Sequence, residues 1–170
     1  MTEDALSGFD VGWGDFIGIA TMEAVIFVGL QGSGKSSFFK ERLFHSHVRI
    51  SLDLLKTRNR EWQLFQVCLQ TQQRLVIDNT NPTREERAKY ISAALEANYR
   101  IVGFYFQSKA EDCLKRNSER SGIERVPDVA IFSTAKKLEV PTRDEGFDQL
   151  FYVRLGEGRI IVEEWQDEVR

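Results

Sequence analysis

The sequence predicts a three-layer α/β fold, a parallel sheet of about five strands with helices on both faces. Three observations carry that prediction. Five short apolar runs rich in β-branched residues alternate with longer segments of mixed polarity, the order expected of a parallel sheet wound with helices. A glycine-rich loop follows the first run directly. Helix-start signals come soon after the later runs, where crossover connections need them.

Composition sets limits on what such a domain can do. Of 170 residues, 42% are apolar and only 3 are proline, which describes one globular domain able to bury about two thirds of its unfolded surface. Cys68 and Cys113 stand alone. They exclude a disulfide framework and a cysteine-rich structural metal site, and they fit a reducing compartment: the cytoplasm, or the nucleus if the source is eukaryotic. No apolar run approaches the roughly 18 residues of a membrane helix, and Met1-Thr2-Glu3-Asp4 lacks the basic start of a signal peptide. A net charge of −3 argues against coating nucleic acid through a broad basic field. A local patch remains open, because Lys115, Arg116, Arg120 and Arg125 fall close together.

The elements follow in order. Residues 1–21 scatter Gly8, Gly12, Gly14 and Gly18 among aromatics without helical or strand period, so an irregular arm is expected there and a folded domain over 22–170. Strands are predicted at 24–28, 48–50, 74–77, 100–106 and 150–155. Thr83 with Glu86, and Ser108 with Glu111, have the spacing in which a hydroxyl caps one helix N–H and a carboxylate reaches back to another. Pro127 suits the first turn of a helix over 128–138, having no N–H to lose there. Gly156-Glu157-Gly158 parts two β-like runs and predicts a terminal hairpin. Trp62, Phe65 and Leu69 recur at helical spacing and read as core, with Trp62 also able to offer a stacking face. His45 and His47 read as surface histidines.

Gly29-Leu30-Gln31-Gly32-Ser33-Gly34-Lys35-Ser36 matches Gly-x-x-x-x-Gly-Lys-Ser/Thr, between a strand and a helical segment that begins near Lys35. Glycines let the backbone curl round a phosphate with its N–H groups inward. Lys35 is then expected on the β- and γ-phosphates of ATP, and Ser36 on Mg²⁺. The nucleotide-binding set is Gly29, Gly32, Ser33, Gly34, Lys35, Ser36 and Ser37, and the fold class becomes that of the P-loop NTPases and kinases.

A phosphate loop does not separate a kinase from a motor or a switch, so the other charged positions matter. Asp53 follows the second strand, at the sheet edge where ligands of such folds gather. It is a candidate base for an acceptor hydroxyl and a second candidate for Mg²⁺; an N-cap of the helix after it is the alternative. Asp78 ends the third strand beside Asn79. It could bind metal-bound water or the acceptor, or start the turn to Pro82. Arg116 and Arg120 are four apart, so a helix aims both at one ligand; with Arg125 they form either a phosphate-binding lid or a solvated basic face.

With these residues on the page, the chain resembles the kinase domain of polynucleotide 5′-hydroxyl kinases, over about 24–155. The resemblance rests on 29–37, on Ile77-Asp78-Asn79-Thr80-Asn81-Pro82, on Lys115-Arg116-Asn117-Ser118-Glu119-Arg120 with Val126-Pro127, and on Glu139-Val140-Pro141-Thr142 followed by Glu145-Gly146-Phe147. The last two sets look especially like the kinase half of animal 3′-phosphatase/5′-kinase enzymes. It implies transfer of the ATP γ-phosphate to the 5′-hydroxyl of a DNA or RNA end. It also implies Asp53 as general base, Arg120 as clamp on ATP phosphate with Arg116 and Arg125 beside it, and Lys56 or Arg58 on the acceptor's phosphate. Asp78 and Asn79 complete the implied acceptor set. Leu52 departs from the family, which usually carries Arg there. No Asp-x-Asp-Gly-Thr phosphatase motif occurs, so 3′-phosphate removal is expected from a separate phosphatase, or end joining from a ligase partner. Two other readings stand beside this one: a kinase of a small hydroxylated molecule such as a sugar, an antibiotic or a nucleotide sugar, and an ATP-binding regulatory module without turnover.

Overall fold

Alternation of side chains across a strand decides how this sheet is covered. The computed structural model describes residues 22–156 and 158–167, and the arm expected over 1–21 lies outside the described residues. In β1 (Glu23–Val28) every residue is buried, as a strand with helices on both sides must be. Ala24, Ile26 and Val28 enter one apolar cluster with Phe65, Tyr90 and Ile91, while Val25 and Phe27 enter another with Phe38, Phe39 and Phe104. The period of two thus splits one strand between two cores.

The strands are β1, β2 (Val48–Ile50), β3 (Leu75–Ile77), β4 (Arg100–Phe106), β5 (Gln149–Gly156) and β6 (Arg159–Glu164), in spatial order β2-β3-β1-β4-β5-β6. The first five pair in parallel, as the strand–helix alternation predicts, and β6 adds antiparallel to β5 as the hairpin. The helices are α1 (Lys35–Phe38), α2 (Leu52–Leu55), α3 (Arg58–Gln70), α4 (Arg84–Glu96), α5 (Ala110–Ser118) and α6 (Asp128–Lys137); α1 continues as a π-helical segment, Phe39–Leu43. Among the described residues no helix is long and apolar enough to cross a membrane. Phe65 and Leu69 of α3 are core, and Trp62 is 37% exposed with its ring 5.2 Å from that of Phe65. The chain winds from β1 out to β2 and back to β3, then crosses to β4 on the far side of β1. The loop after β1 therefore lies at the reversal of winding, where open α/β sheets bind ligands.

Two local expectations need correction. Thr83 caps α4, its hydroxyl accepting from the Glu86 N–H at 3.2 Å. Ser108 caps nothing: α5 starts from Lys109, and the Ser108 hydroxyl accepts from the Leu30 N–H at 3.0 Å and donates to the Phe106 carbonyl at 2.7 Å. A tertiary partner, the phosphate loop, outcompetes the helix end for that oxygen. His47 is not at the surface either. It is buried and bonded through Nε2 to the Glu23 carboxylate at 2.8 Å, at the start of the sheet.

Candidate active site

Three strand ends meet at one sheet edge. The loop after β1 carries residues 29–36, the turn after β2 carries Ser51–Asp53, and the turn after β3 carries Asp78–Asn81. Gly32 and Gly34 take φ of +79° and +102°, a region that side chains oppose. A Cβ on Gly32 would stand 2.7 Å from the Cys113 carbonyl oxygen, so α5 closes against the loop at a glycine. The N–H groups of the first turn of α1 have no partner within the helix, which suits the loop to an anion.

Lys35 is buried and donates to the carbonyls of Gly29 at 2.9 Å and Leu30 at 2.6 Å. Burial pushes its ammonium down to about 8; Asp78, Cys113 and Asp53 pull the other way, and Arg120 acts with the burial. Those forces bring Lys35, Asp78, Asp53 and Arg120, all four singled out from sequence, into one electrostatic neighbourhood. Ser36 and Ser37 are exposed and Ser33 is buried.

Asp53 does not cap α2. Ser51 occupies that position, and Asp53 lies in the first turn with an exposed carboxylate. The turn is pinned from β3: the Leu52 N–H donates to Asn79 Oδ1 at 2.9 Å, and the Asn79 amide donates to the Glu61 carboxylate. Glu61 is 1% exposed, and it also accepts from Arg58 Nη1 at 3.0 Å. Arg58 is thereby tied to α3 and reaches Glu86 at 3.9 Å, while Lys56 is exposed in a left-handed conformation with φ +68°. The Ser51 hydroxyl is buried and has no hydrogen-bond partner among the described residues.

Asp78 is buried, and its Oδ2 takes two bonds from Arg49, from Nε at 2.7 Å and from Nη2 at 2.5 Å. Arg49 Nη2 also donates to Ser36 Oγ at 3.2 Å. Arg49 was not legible as a site residue, although an arginine between Val48 and Ile50 in an otherwise apolar strand was a signal.

The basic stretch of α5 reaches the loop as well. Arg116 Nε donates to the Gly32 carbonyl at 2.6 Å; the helix expected to carry both arginines ends at Ser118, so half-buried Arg120 lies in the turn beyond it. Arg125 is exposed beyond the 3-10 turn Gly122–Glu124. Asn117, fully buried, holds this stretch to the next helix by accepting from the Val126 N–H at 3.1 Å and donating to the Val126 carbonyl at 2.7 Å.

A second feature not read from the sequence lies behind the edge. Arg87 is fully buried and makes two bonds of 2.7 Å to the Glu145 carboxylate. It also donates to the carbonyls of Asn81, Pro82 and Glu139 at 3.0, 3.2 and 3.1 Å. One guanidinium thus ties the turn after β3 to the segment before β5.

Ser36 and Asp53 present exposed oxygen donors, the class that Mg²⁺ takes. No cluster of three His, Cys, Asp or Glu able to hold a metal occurs among the described residues. So few protein ligands are what a Mg²⁺ shared with nucleotide phosphates requires. The glycine loop thus has a cation on two sides, Arg49 at Ser36 and Arg116 at the Gly32 carbonyl.

Comparison with known proteins gives a family and a fold. A family model described as "AAA domain" matches residues 55–141, half of the chain. The chain is 32% identical over 129 residues to the bifunctional polynucleotide phosphatase/kinase of Schizosaccharomyces pombe, matching 74% of this chain and 32% of that protein. It is 30% identical over 135 residues to a protein of Acanthamoeba polyphaga mimivirus named as a putative bifunctional polynucleotide phosphatase/kinase, matching 75% of this chain and 32% of that one. The chain spans about a third of the length of these relatives. Among solved structures, a gluconokinase from Sinorhizobium meliloti superposes with TM-score 0.55 at 18% identity, over 79% of this chain and 83% of that one. That likeness is one of fold.

Proposed function

Because this chain belongs to the AAA-domain family and has the P-loop kinase fold, we propose that it transfers the γ-phosphate of ATP to the 5′-hydroxyl of a DNA or RNA end. The observation that carries the reading is exposed Asp53, whose charge acts on Lys35 and whose neighbour Leu52 is fixed by its N–H on Asn79 Oδ1. A binding module without turnover has no use for such a base.

In this reading the loop amides and Lys35 hold the β- and γ-phosphates, and Arg116 of α5 and Arg120 of the turn after it approach them. Asp53 accepts the proton of the 5′-hydroxyl as its oxygen bonds to the γ-phosphorus and the bond to the β-phosphate oxygen breaks, giving ADP and a 5′-phosphate. Ser36 and Asp53 would hold Mg²⁺ beside the phosphates, where the ion would supply neutralisation of negative charge. Lys56 is free to meet the acceptor's phosphate, and Arg58 can do so from its place on Glu61. The relatives' names include a phosphatase; for this stretch we assign the kinase step alone, with a separate phosphatase or ligase as partner. The two free cysteines are both buried, in keeping with work in the cytoplasm or nucleus.

Leu52 and exposed Leu54 beside Asp53 favour a second reading. An apolar rim where a polynucleotide kinase would place a cation suits a small hydroxylated acceptor such as a sugar. One assay separates the two: γ-labelled ATP, Mg²⁺ and 5′-hydroxyl oligonucleotides of DNA and RNA, with wild type and Asp53→Asn. End label that falls by orders of magnitude in the variant, with ATP affinity kept, supports the first reading. Unchanged labelling in the variant removes Asp53 from the mechanism. No label from wild type that binds ATP moves the acceptor to a small molecule.

A further inference from the structure

We propose that Arg49 contacts the terminal phosphate of the donor nucleotide, and that Asp78 serves to hold Arg49 in place. The proposal rests on the nucleotide-binding reading of the loop, and it is independent of the acceptor.

Sequence alone leaves Asp78 between a metal-bound water, the acceptor and a turn. The structure gives its carboxylate another occupation. Asp78 is 5% exposed, fixed by its N–H on the Ile50 carbonyl at 2.8 Å, and its Oδ2 takes both Nε and Nη2 of Arg49. Two charge-assisted bonds to one buried oxygen set the plane of the guanidinium. The Phe39 ring lies 5.2 Å from the guanidinium carbon and sets it from a third direction.

The rest of the fork faces the phosphate loop. Nη2 reaches Ser36 Oγ at 3.2 Å, and Ser36 directly follows the lysine that the motif assigns to the β- and γ-phosphates. Nη1 has no acceptor among the described residues, and the Arg49 side chain is 23% exposed, so its remaining N–H groups open toward solvent at the loop. A half-buried arginine pointed at a hydroxyl with two donors to spare is a poor end in itself. An oxyanion next to Ser36 would take both. Nucleotide binding then exchanges the Ser36 contact for phosphate oxygen, which frees the serine hydroxyl, while the two bonds to Asp78 stay. A cation oriented in advance costs no reorganisation when charge grows on the transferring group.

Calorimetric titration of the full chain with ADP and with a non-hydrolysable ATP analogue, both with Mg²⁺, tests this. Wild type, Arg49→Gln, Arg49→Lys, Asp78→Asn and the Arg49→Gln/Asp78→Asn double variant are compared, each with its melting temperature. In Arg49→Gln the analogue should lose about tenfold or more in affinity, while ADP, which lacks the γ-phosphate, changes by less than about twofold. Asp78→Asn should lose the same selectivity, and the double variant should lose no more than either single one. Should Arg49→Gln fail to fold, Arg49→Lys and Asp78→Asn carry the comparison. Equal losses for ADP and the analogue would make Arg49 a purely structural ion pair and overturn the proposal, as would an unchanged analogue affinity. Wild type that binds neither nucleotide overturns this proposal and the kinase reading together. Nucleotide selectivity lost as expected, without oligonucleotide labelling, overturns the acceptor assignment alone.

Discussion

Lys35 gives up its water to sit on the carbonyls of Gly29 and Leu30, and burial lowers its pKa from 10.5 to about 8. The direction has two consequences. Between pH 8 and 10.5 the unfolded chain keeps a proton that the folded chain releases, so stability from this group rises with pH across that window and is penalised below it. A bound polyphosphate acts the other way, because its charge favours the ammonium. ATP binding at about pH 9 should therefore take up a proton, read as a difference in binding heat between two buffers of unlike ionisation enthalpy. Lys35→Met should lose that difference and most of the affinity; a wild type without proton uptake would show that Lys35 stays clear of the phosphates. Asp53 is set differently. Asp53 is exposed, while the Leu52 N–H beside it is fixed on Asn79, whose amide is held in turn by Glu61.

The turn after β3 and the segment before β5 are joined at the buried Arg87–Glu145 pair, beside the Glu139 N–H on the Pro82 carbonyl at 2.8 Å. Three carbonyls and a carboxylate satisfy the guanidinium, so removing one partner leaves an unpaired charge inside. Glu145→Ala should cost roughly 3–5 kcal/mol and lower the melting temperature by roughly 6–20 °C for a chain of this size, measured by circular dichroism. A change within about 0.5 kcal/mol, the range of an ordinary surface substitution, would show that the pair is not shielded from water. The same pair gives a physical reason for Glu139 and Glu145-Gly146 to occur with Asn81-Pro82, since one guanidinium reads both stretches. α5 is held in another way. Asn117 ties it to Val126, and Arg116 ties it to the Gly32 carbonyl, so the cationic stretch is fastened at its root while Arg120 and Arg125 stay accessible.

At the scale of the whole molecule, a net charge of −3 leaves no long-range pull on nucleic acid. Affinity for a polynucleotide acceptor has to come from a few cations near Asp53. Raising salt should then raise the KM for a single-stranded 5′-hydroxyl oligonucleotide, with a logarithmic slope of roughly 0.7 for each phosphate neutralised, so about 1.4 where Lys56 and Arg58 each neutralise one. A flat response would favour the uncharged small acceptor. The proposed nucleotide side does not depend on that choice, because its groups come from the loop after β1, from β2 and from α5, and those of the proposed acceptor side from α2 and the start of α3.

The parallel sheet, the glycine-rich loop and the Thr83 cap were legible in the sequence because each rests on local chemistry: strand period, glycine at positive φ, a hydroxyl three residues before its N–H. Even the closing hairpin was local. Tertiary structure alone decided which groups answer one another across the sheet edge. It turned Ser108 from a helix cap into a brace for Leu30, buried His47 on Glu23, and gave Asp78 to Arg49 from the neighbouring strand. Glu61 and Arg87 lie 18 and 58 residues from the partners they hold. No pattern of spacing encodes those pairs, because what selects them is the cost of leaving a buried charge or hydroxyl unpaired, and that cost exists only once the strands are side by side.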